Sequence, residues 1–320
     1  MNKNIYRIYI LLLIVLFLGI CVFAYQKIFK FKQIIVSPLP NFLTSFANNQ
    51  VSTLNLWSPF FEMFEEDKNK IPSLSAKSAL VYDLTDNKIL FSKDASKKLP
   101  MASLTKIMTA IVAIESATPD DKYLVFPQDL VGENSMGLSV GEKLTLKELL
   151  YGLILTSGND AAETLAGNFP EGRDKFIEAM NNKAKSLGLK NTHFTNPTGL
   201  EGEGRQYATA YDLLVITKYA LQFPIFKKVA GTFIHNIPYS QNHKAFYLEN
   251  QTNLISSYPG VFGVKDGYTP EAGLCLVTYL NYKGHEIIGI LLGSDNRRQE
   301  MKDLLDYGLK IQGITPPPHQ

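Results

Sequence analysis

The stretch Met101-Ala102-Ser103-Leu104-Thr105-Lys106 places a hydroxyl and an amine three residues apart. Apolar or small residues at Ile107, Ala110, Ile111 and Ile114 follow at helical spacing, which predicts a buried helix beginning near Ser103. Residues three apart on a helix share a face, so Ser103 and Lys106 would stand together at the end that carries the positive dipole. A hydroxyl beside an amine is a nucleophile beside a base, provided that the amine is neutral. The helix N-terminus, burial and any second cation nearby all disfavour a charged lysine. The same residues also suit a serine cap with Lys106 on a solvated face, because S-x-x-K arises often by chance.

Two further stretches carry polar groups that chemistry could use. In Thr156-Ser157-Gly158-Asn159-Asp160-Ala161-Ala162, Gly158 breaks one helix and Ala161 to Ala166 starts another. Ser157 and Asn159 then lie on a helix–helix turn, where a hydroxyl and an amide can face a cleft; ordinary turn chemistry favours the same residues. Downstream, Lys265-Asp266-Gly267-Tyr268-Thr269 lies in a strand-like run. Gly137-Leu138-Ser139-Val140-Gly141 matches the G-x-S-x-G nucleophile elbow literally. An elbow needs a strand into the Ser and a helix leaving at once. Here the next helix waits until Thr145, whose T-x-x-E pattern with Glu148 is a capping box opening Leu146 to Leu155, so Ser139 is expected in a loop.

These groups need a frame. Ala79 to Leu84 and Lys88 to Phe91 alternate as two strands of a hairpin around Thr85-Asp86-Asn87. Residues 122–142 read as loop-rich with short apolar pieces, Phe176 to Leu187 and Thr209 to Leu221 as helices, and residues 225–258 as short strands and turns. Gly273 to Tyr279 and Glu286 to Leu292 are strands about the turn Lys283-Gly284, and Gln299 to Leu309 is a final helix. Hairpin, helices, strands and a last helix predict an α+β domain. Its terminal strands share one antiparallel sheet covered by helices, with a helical part inserted between about residues 103 and 222.

The 320 residues are 45% hydrophobic and 19% charged, an ordinary globular balance with length enough for a large core. A formal net charge of +2 and the lack of a basic stripe with interleaved aromatics give no reason to expect nucleic acid. The 2 cysteines, Cys21 and Cys275, sit in dissimilar apolar runs and are not expected to pair, and the 5 histidines show no zinc-like spacing. Ile8 to Tyr25 is an uncharged apolar run of about 18 residues, just long enough to cross a bilayer. No small-x-small cleavage site follows it, which favours an uncleaved anchor over a removed signal. The expected organisation is 1–33 signal or anchor, 34–73 spacer, 74–312 globular domain and 313–320 flexible tail.

S-x-x-K at Ser103, S-x-N at Ser157 and K-x-G at Lys265 stand in order, with flanks Pro100-x-Ala102, Asn196-x-x-Gly199-Leu200 and Gly267-Tyr268-Thr269. Over about residues 74 to 312 the sequence resembles the serine D-alanyl-D-alanine carboxypeptidases. These are low-molecular-weight penicillin-binding proteins with the β-lactamase/transpeptidase-like fold. The resemblance implies Ser103 as acylated nucleophile, Lys106 as its base, Ser157 as proton relay to the leaving D-alanine, and Asn159 as a holder of Lys106 and the substrate amide. Lys265 would supply positive potential for the terminal carboxylate, and the N–H groups of Ser103 and Tyr268 an oxyanion hole. It implies no metal or cofactor, peptidoglycan stem peptides as substrate, β-lactams as covalent inhibitors, and a place in the bacterial envelope with the N-terminus as membrane tether.

Asp266 stands where the family usually has threonine, whose hydroxyl helps bind the substrate carboxylate. An ionised Asp266 would repel that anion by roughly 4 kcal/mol at 4 Å and an effective dielectric of 20. Either Asp266 turns away, as strand alternation allows, or it is protonated, or the preferred substrate lacks the carboxylate. The last case points to an endopeptidase cutting crosslinks. A β-lactamase would need a deacylating Glu; Glu163 and Glu171 follow the second motif but not in the E-x-x-x-N pattern. A catalytically silent peptidoglycan-binding protein is the rival from outside enzymology.

Overall fold

The computed structural model describes residues 71–117, 121–252 and 254–319. The apolar run Ile8 to Tyr25 and the expected spacer up to residue 70 lie outside the described residues. Among those described, no helix is long and apolar enough to cross a membrane.

In chain order the strands and helices are β1 (Ser78–Asp83), β2 (Lys88–Lys93), α1 (Thr105–Ser116), β3 (Lys122–Leu124), β4 (Lys143–Thr145), α2 (Leu146–Leu155), α3 (Asn159–Gly167), α4 (Arg173–Ser186), α5 (Ala210–Ala220) and α6 (Pro224–Ala230). There follow β5 (Ile234–Ile237), β6 (Phe246–Glu249), α7 (Leu254–Ser257), β7 (Val261–Thr269), β8 (Gly273–Tyr282), β9 (His285–Ser294) and α8 (Arg297–Lys310). One five-stranded antiparallel sheet runs in the order β2-β1-β9-β8-β7, so the two ends of the chain build it together and β7 is an edge. The expected α+β frame with a helical insert is the observed one.

The sheet is buried on both faces, which is why β8 and β9 read as nearly continuous apolar runs. On one face Met301, Leu304, Leu305 and Leu309 of α8 pack with Val81, Leu276, Leu280, Ile287 and Leu291. Each such side chain contributes about 1.5–3 kcal/mol when fully buried. Across the sheet α5 packs on β1 and β9. The β8–β9 hairpin turns through Lys283 at φ 48° and Gly284 at φ 85°. Two positive φ values give the type I′ twist that matches paired strands.

Local chemistry sets the insert. Thr145 and Glu148 close the expected capping box, with Glu148 N donating to Thr145 Oγ1 at 3.3 Å and Thr145 N to Glu148 Oε2 at 2.8 Å. Thr209 caps α5 through Asp212 N at 3.0 Å.

The loop-rich stretch 122–142 contains the three-residue strand β3, which pairs with β4 just beyond. Two expectations need correction. Residues 225–258 are not only strands and turns. Pro224 at the first helical position and Gly231 at the C-cap enclose α6, and only then does the β5–β6 hairpin follow. Residues 313–319 are not a free tail: Ile314 packs against the sheet core, and His319 stacks on Tyr258 with Nε2 3.0 Å from Asp306 Oδ1.

Candidate active site

Ser103 lies on a single 3-10 turn, Ala102–Leu104, that leads into α1 and abuts the edge strand β7. Ala102 has φ 48°, a region that L-residues seldom occupy. Gly199 holds that turn from behind. It has φ +89°, and a Cβ there would lie 2.1 Å from Ala102 O. Gly199→Ala is therefore expected to destabilise the protein by roughly 1–3 kcal/mol and to displace the turn that carries Ser103, checked by thermal melts. On the other side a Cβ at Gly267 would come within 2.9 Å of Ser103 N, so the strand and the Ser103 turn approach as closely as glycine permits.

Lys106 has no exposed surface. Its Nζ lies 2.9 Å from Ser103 Oγ, 2.7 Å from Asn159 Oδ1 and 2.7 Å from the Thr198 carbonyl oxygen. A neutral amine has two N–H bonds and one lone pair. The amide oxygen and the carbonyl oxygen can only accept, so they take the two N–H bonds. That leaves the lone pair facing the one partner able to donate, the Ser103 hydroxyl. Burial pushes the Lys106 amine well below its ordinary value, and Lys265 pushes the same way, against weaker opposition from Asp266, Asp160 and Glu163. The solvated cap reading of Ser103 and Lys106 is thus excluded by burial and partners.

Asn159 opens α3, its Oδ1 on Lys106 and its Nδ2 donating to Gly132 O at 3.1 Å. Ser157, at φ 57° in the turn before it, has a buried Oγ with no protein partner. A buried hydroxyl left unpaired costs about 1–3 kcal/mol, which a substrate group could recover. Asp160, which sequence reasoning passed over, organises this corner. Its carboxylate accepts from Met136 N at 3.0 Å, Gly137 N at 3.1 Å and Leu138 N at 3.0 Å, and from Ser135 Oγ.

Lys265 and Asp266 lie on β7 with Gly267, Tyr268 and Thr269. Lys265 Nζ donates to Asp266 Oδ1 and to Asp266 O, both at 2.9 Å. Arg297, at the start of α8, donates through Nη2 to Asp266 Oδ2 at 2.7 Å and through Nη1 to Gly267 O at 2.6 Å. Burial works to raise the Asp266 carboxyl, but Lys265 and Arg297 overcome it and hold the group below its usual value. Both Asp266 oxygens accept from cationic donors, the arrangement that suits an ionised carboxylate, and the side chain does not turn out to solvent. Tyr268 is 60% exposed at the rim. Thr269 does not join the group: its Oγ1 accepts Ala272 N at 3.1 Å within the β7–β8 turn.

Two rival features fall away. Ser139 is exposed, its Oγ accepting from Lys244 Nζ at 2.6 Å, so the G-x-S-x-G match is a surface turn. Glu163 is clamped by Arg173, Nε to Oε2 at 2.6 Å and Nη2 to Oε1 at 3.0 Å, so its carboxylate is already engaged, and Glu171 is exposed on the surface.

An edge strand against a serine–lysine turn, in an antiparallel sheet with a helical insert, defines the penicillin-binding, transpeptidase-like class of serine enzyme. Within that class the chain belongs to the D-alanyl-D-alanine carboxypeptidase family, which its residues 65–296 match. It is 36% identical over 253 residues to D-alanyl-D-alanine carboxypeptidase DacF of Bacillus subtilis, covering 75% of this chain and 64% of that one. The chain therefore spans slightly less than two thirds of that relative. It is 34% identical over 208 residues to a D-alanyl-D-alanine endopeptidase of Pseudomonas aeruginosa, covering 64% of this chain and 66% of that one. The crystal structure of the Streptomyces K15 DD-transpeptidase superposes with a TM-score of 0.70 at 32% identity, covering 75% of this chain and 98% of that one.

Proposed function

We propose that the protein is a serine D,D-peptidase that removes the terminal D-alanine from peptidoglycan stem peptides through an acyl-enzyme on Ser103. The observation that carries this is the Lys106 amine, buried and 2.9 Å from Ser103 Oγ with its other two partners acceptors only. Lys106 takes the hydroxyl proton as Ser103 Oγ attacks the carbonyl carbon of the penultimate residue. The N–H groups of Ser103 and Tyr268 receive the oxyanion, each donor being worth roughly 3–4 kcal/mol of barrier. The C–N bond then breaks as Lys106 passes that proton through Ser157 to the leaving amine and is neutral again. Asn159 holds Lys106 and the substrate amide. Water next attacks the ester and gives a proton to Lys106, which returns it to Ser103 Oγ as the ester bond breaks. No step calls for a metal ion or organic cofactor.

β-Lactams would acylate the same oxygen. The apolar run Ile8 to Tyr25 would tether a catalytic domain of about residues 74–312 to the outer face of the cytoplasmic membrane, within the bacterial envelope. The endopeptidase alternative keeps every role and changes only the leaving group. The test is chiral quantification of free D-alanine from a synthetic pentapeptide ending in D-Ala-D-Ala, using the full chain in detergent. Release of one D-alanine per peptide supports the reading. Peptide left intact, while crosslinked dimers are cut, would replace it with the endopeptidase.

A further inference from the structure

Asp266 has a geometry that bears on which substrate the site prefers, and this inference rests on the acyl-transfer reading above. The two cations beside the nucleophile already hold a carboxylate. Asp266 Oδ1 is 2.9 Å from Lys265 Nζ, and Oδ2 is 2.7 Å from Arg297 Nη2. Arg297 Nη1 also donates to Gly267 O at 2.6 Å and weakly to Cys275 O at 3.4 Å, and Lys265 Nζ to Asp266 O at 2.9 Å. Lys265 is fully buried and Asp266 nearly so, so little solvent screens their interaction. All of this adjoins Gly267, whose α-carbon faces Ser103 N.

We propose that Asp266 is a built-in counter-carboxylate that makes the leaving-group subsite select amines lacking a free α-carboxylate. Three formal charges, Lys265 and Arg297 positive and Asp266 negative, leave one net positive charge where an arriving anion would otherwise meet two. A free terminal carboxylate must displace Asp266 from Lys265 and Arg297 or lie against it as a like charge. A carboxamide in the same place carries no charge, and its N–H groups can donate to the Asp266 oxygens. The favoured substrates are therefore D-Ala-D-Xaa peptides whose terminal carboxyl is capped as an amide, and crosslinks made through a side-chain amine that has no carboxylate on the same carbon. A free D-Ala-D-Ala terminus is accepted but discriminated against.

The test compares kcat/KM on two synthetic stem peptides, one ending in D-Ala-D-Ala acid and one in D-Ala-D-Ala amide. The proteins are the full chain, Asp266→Thr and the near-isosteric Asp266→Asn. The wild type is expected to favour the amide by at least tenfold, and both variants to move the acid-to-amide ratio at least tenfold toward the acid, chiefly through KM. A wild type that favours the acid overturns the proposal. Equal losses on both peptides in both variants, with kcat falling and KM steady, would make Asp266 a positioning residue for Lys265 and overturn it too. Inactivity of all three proteins on both peptides, in folded samples, overturns the acyl-transfer reading and this inference with it.

Discussion

Ser103→Ala leaves no acyl-enzyme: the rate on D-Ala-D-Ala peptides is expected to fall by on the order of 10⁶-fold, the scale seen when a serine nucleophile is removed. The oxygen that alanine lacks is the one facing Lys106 Nζ at 2.9 Å. The fold should be untouched. The 3-10 turn is set by its backbone and by Gly199, neither of which uses the Ser103 hydroxyl. A melt matching wild type to within about 0.5 kcal/mol, beside lost turnover, is the expected pair of results. Turnover within tenfold of wild type would show that the nucleophile lies elsewhere. A peptidoglycan-binding protein without catalysis would give the variant and the wild type the same zero.

The second large effect concerns the base. Lys106→Met keeps the length and apolar body of the side chain and removes its lone pair. General-base catalysis contributes about 10²–10⁴-fold, so acylation should slow by that range. The pH profile supplies a sharper readout. Burial and Lys265 hold the Lys106 pKa well below its ordinary 10.5, so the base form is populated at lower pH than for a free lysine. The sign is fixed. Acylation rises as pH climbs through the Lys106 pKa and levels off above it, and this rising limb should vanish in Lys106→Met. Lys265→Gln removes a like charge that lowers Lys106, so it should move the limb to higher pH. A limb unchanged in Lys106→Met would assign the base to another group.

The parts of this site that were legible in the sequence are those where local chemistry decides. Ser103 and Lys106 face each other because three residues make nearly one helical turn, and the capping box at Thr145 fixes the start of α2. The β8–β9 hairpin was legible from Lys283-Gly284 between apolar runs. Helix α6 carried its own signal in Pro224 and Gly231, which the strand-like residues around them obscured.

The direction of Asp266 was not legible, for a physical reason. Strand alternation fixes the Cβ of adjacent residues on opposite sides, but the four-carbon stem of Lys265 is long enough to bring Nζ back to its neighbour's carboxylate. Arg297 was missed because its partner lies 31 residues away, and only the sheet order β9-β8-β7 brings the start of α8 across to β7. In sequence it is one of two arginines at a helix start, where a solvated face is the ordinary expectation. The Thr198 carbonyl oxygen is a backbone group and leaves no trace in residue type.

Intact-mass spectrometry of the full chain after long incubation with excess benzylpenicillin, followed by peptide mapping, tests the central claim most directly. The expected result is a mass increase equal to the whole drug, carried by the peptide containing Ser103 and absent in Ser103→Ala. Because the drug carries a carboxylate, the adduct should form slowly in wild type and faster in Asp266→Thr. An adduct on any other residue, or none in either the wild type or Asp266→Thr when both are folded, would contradict it.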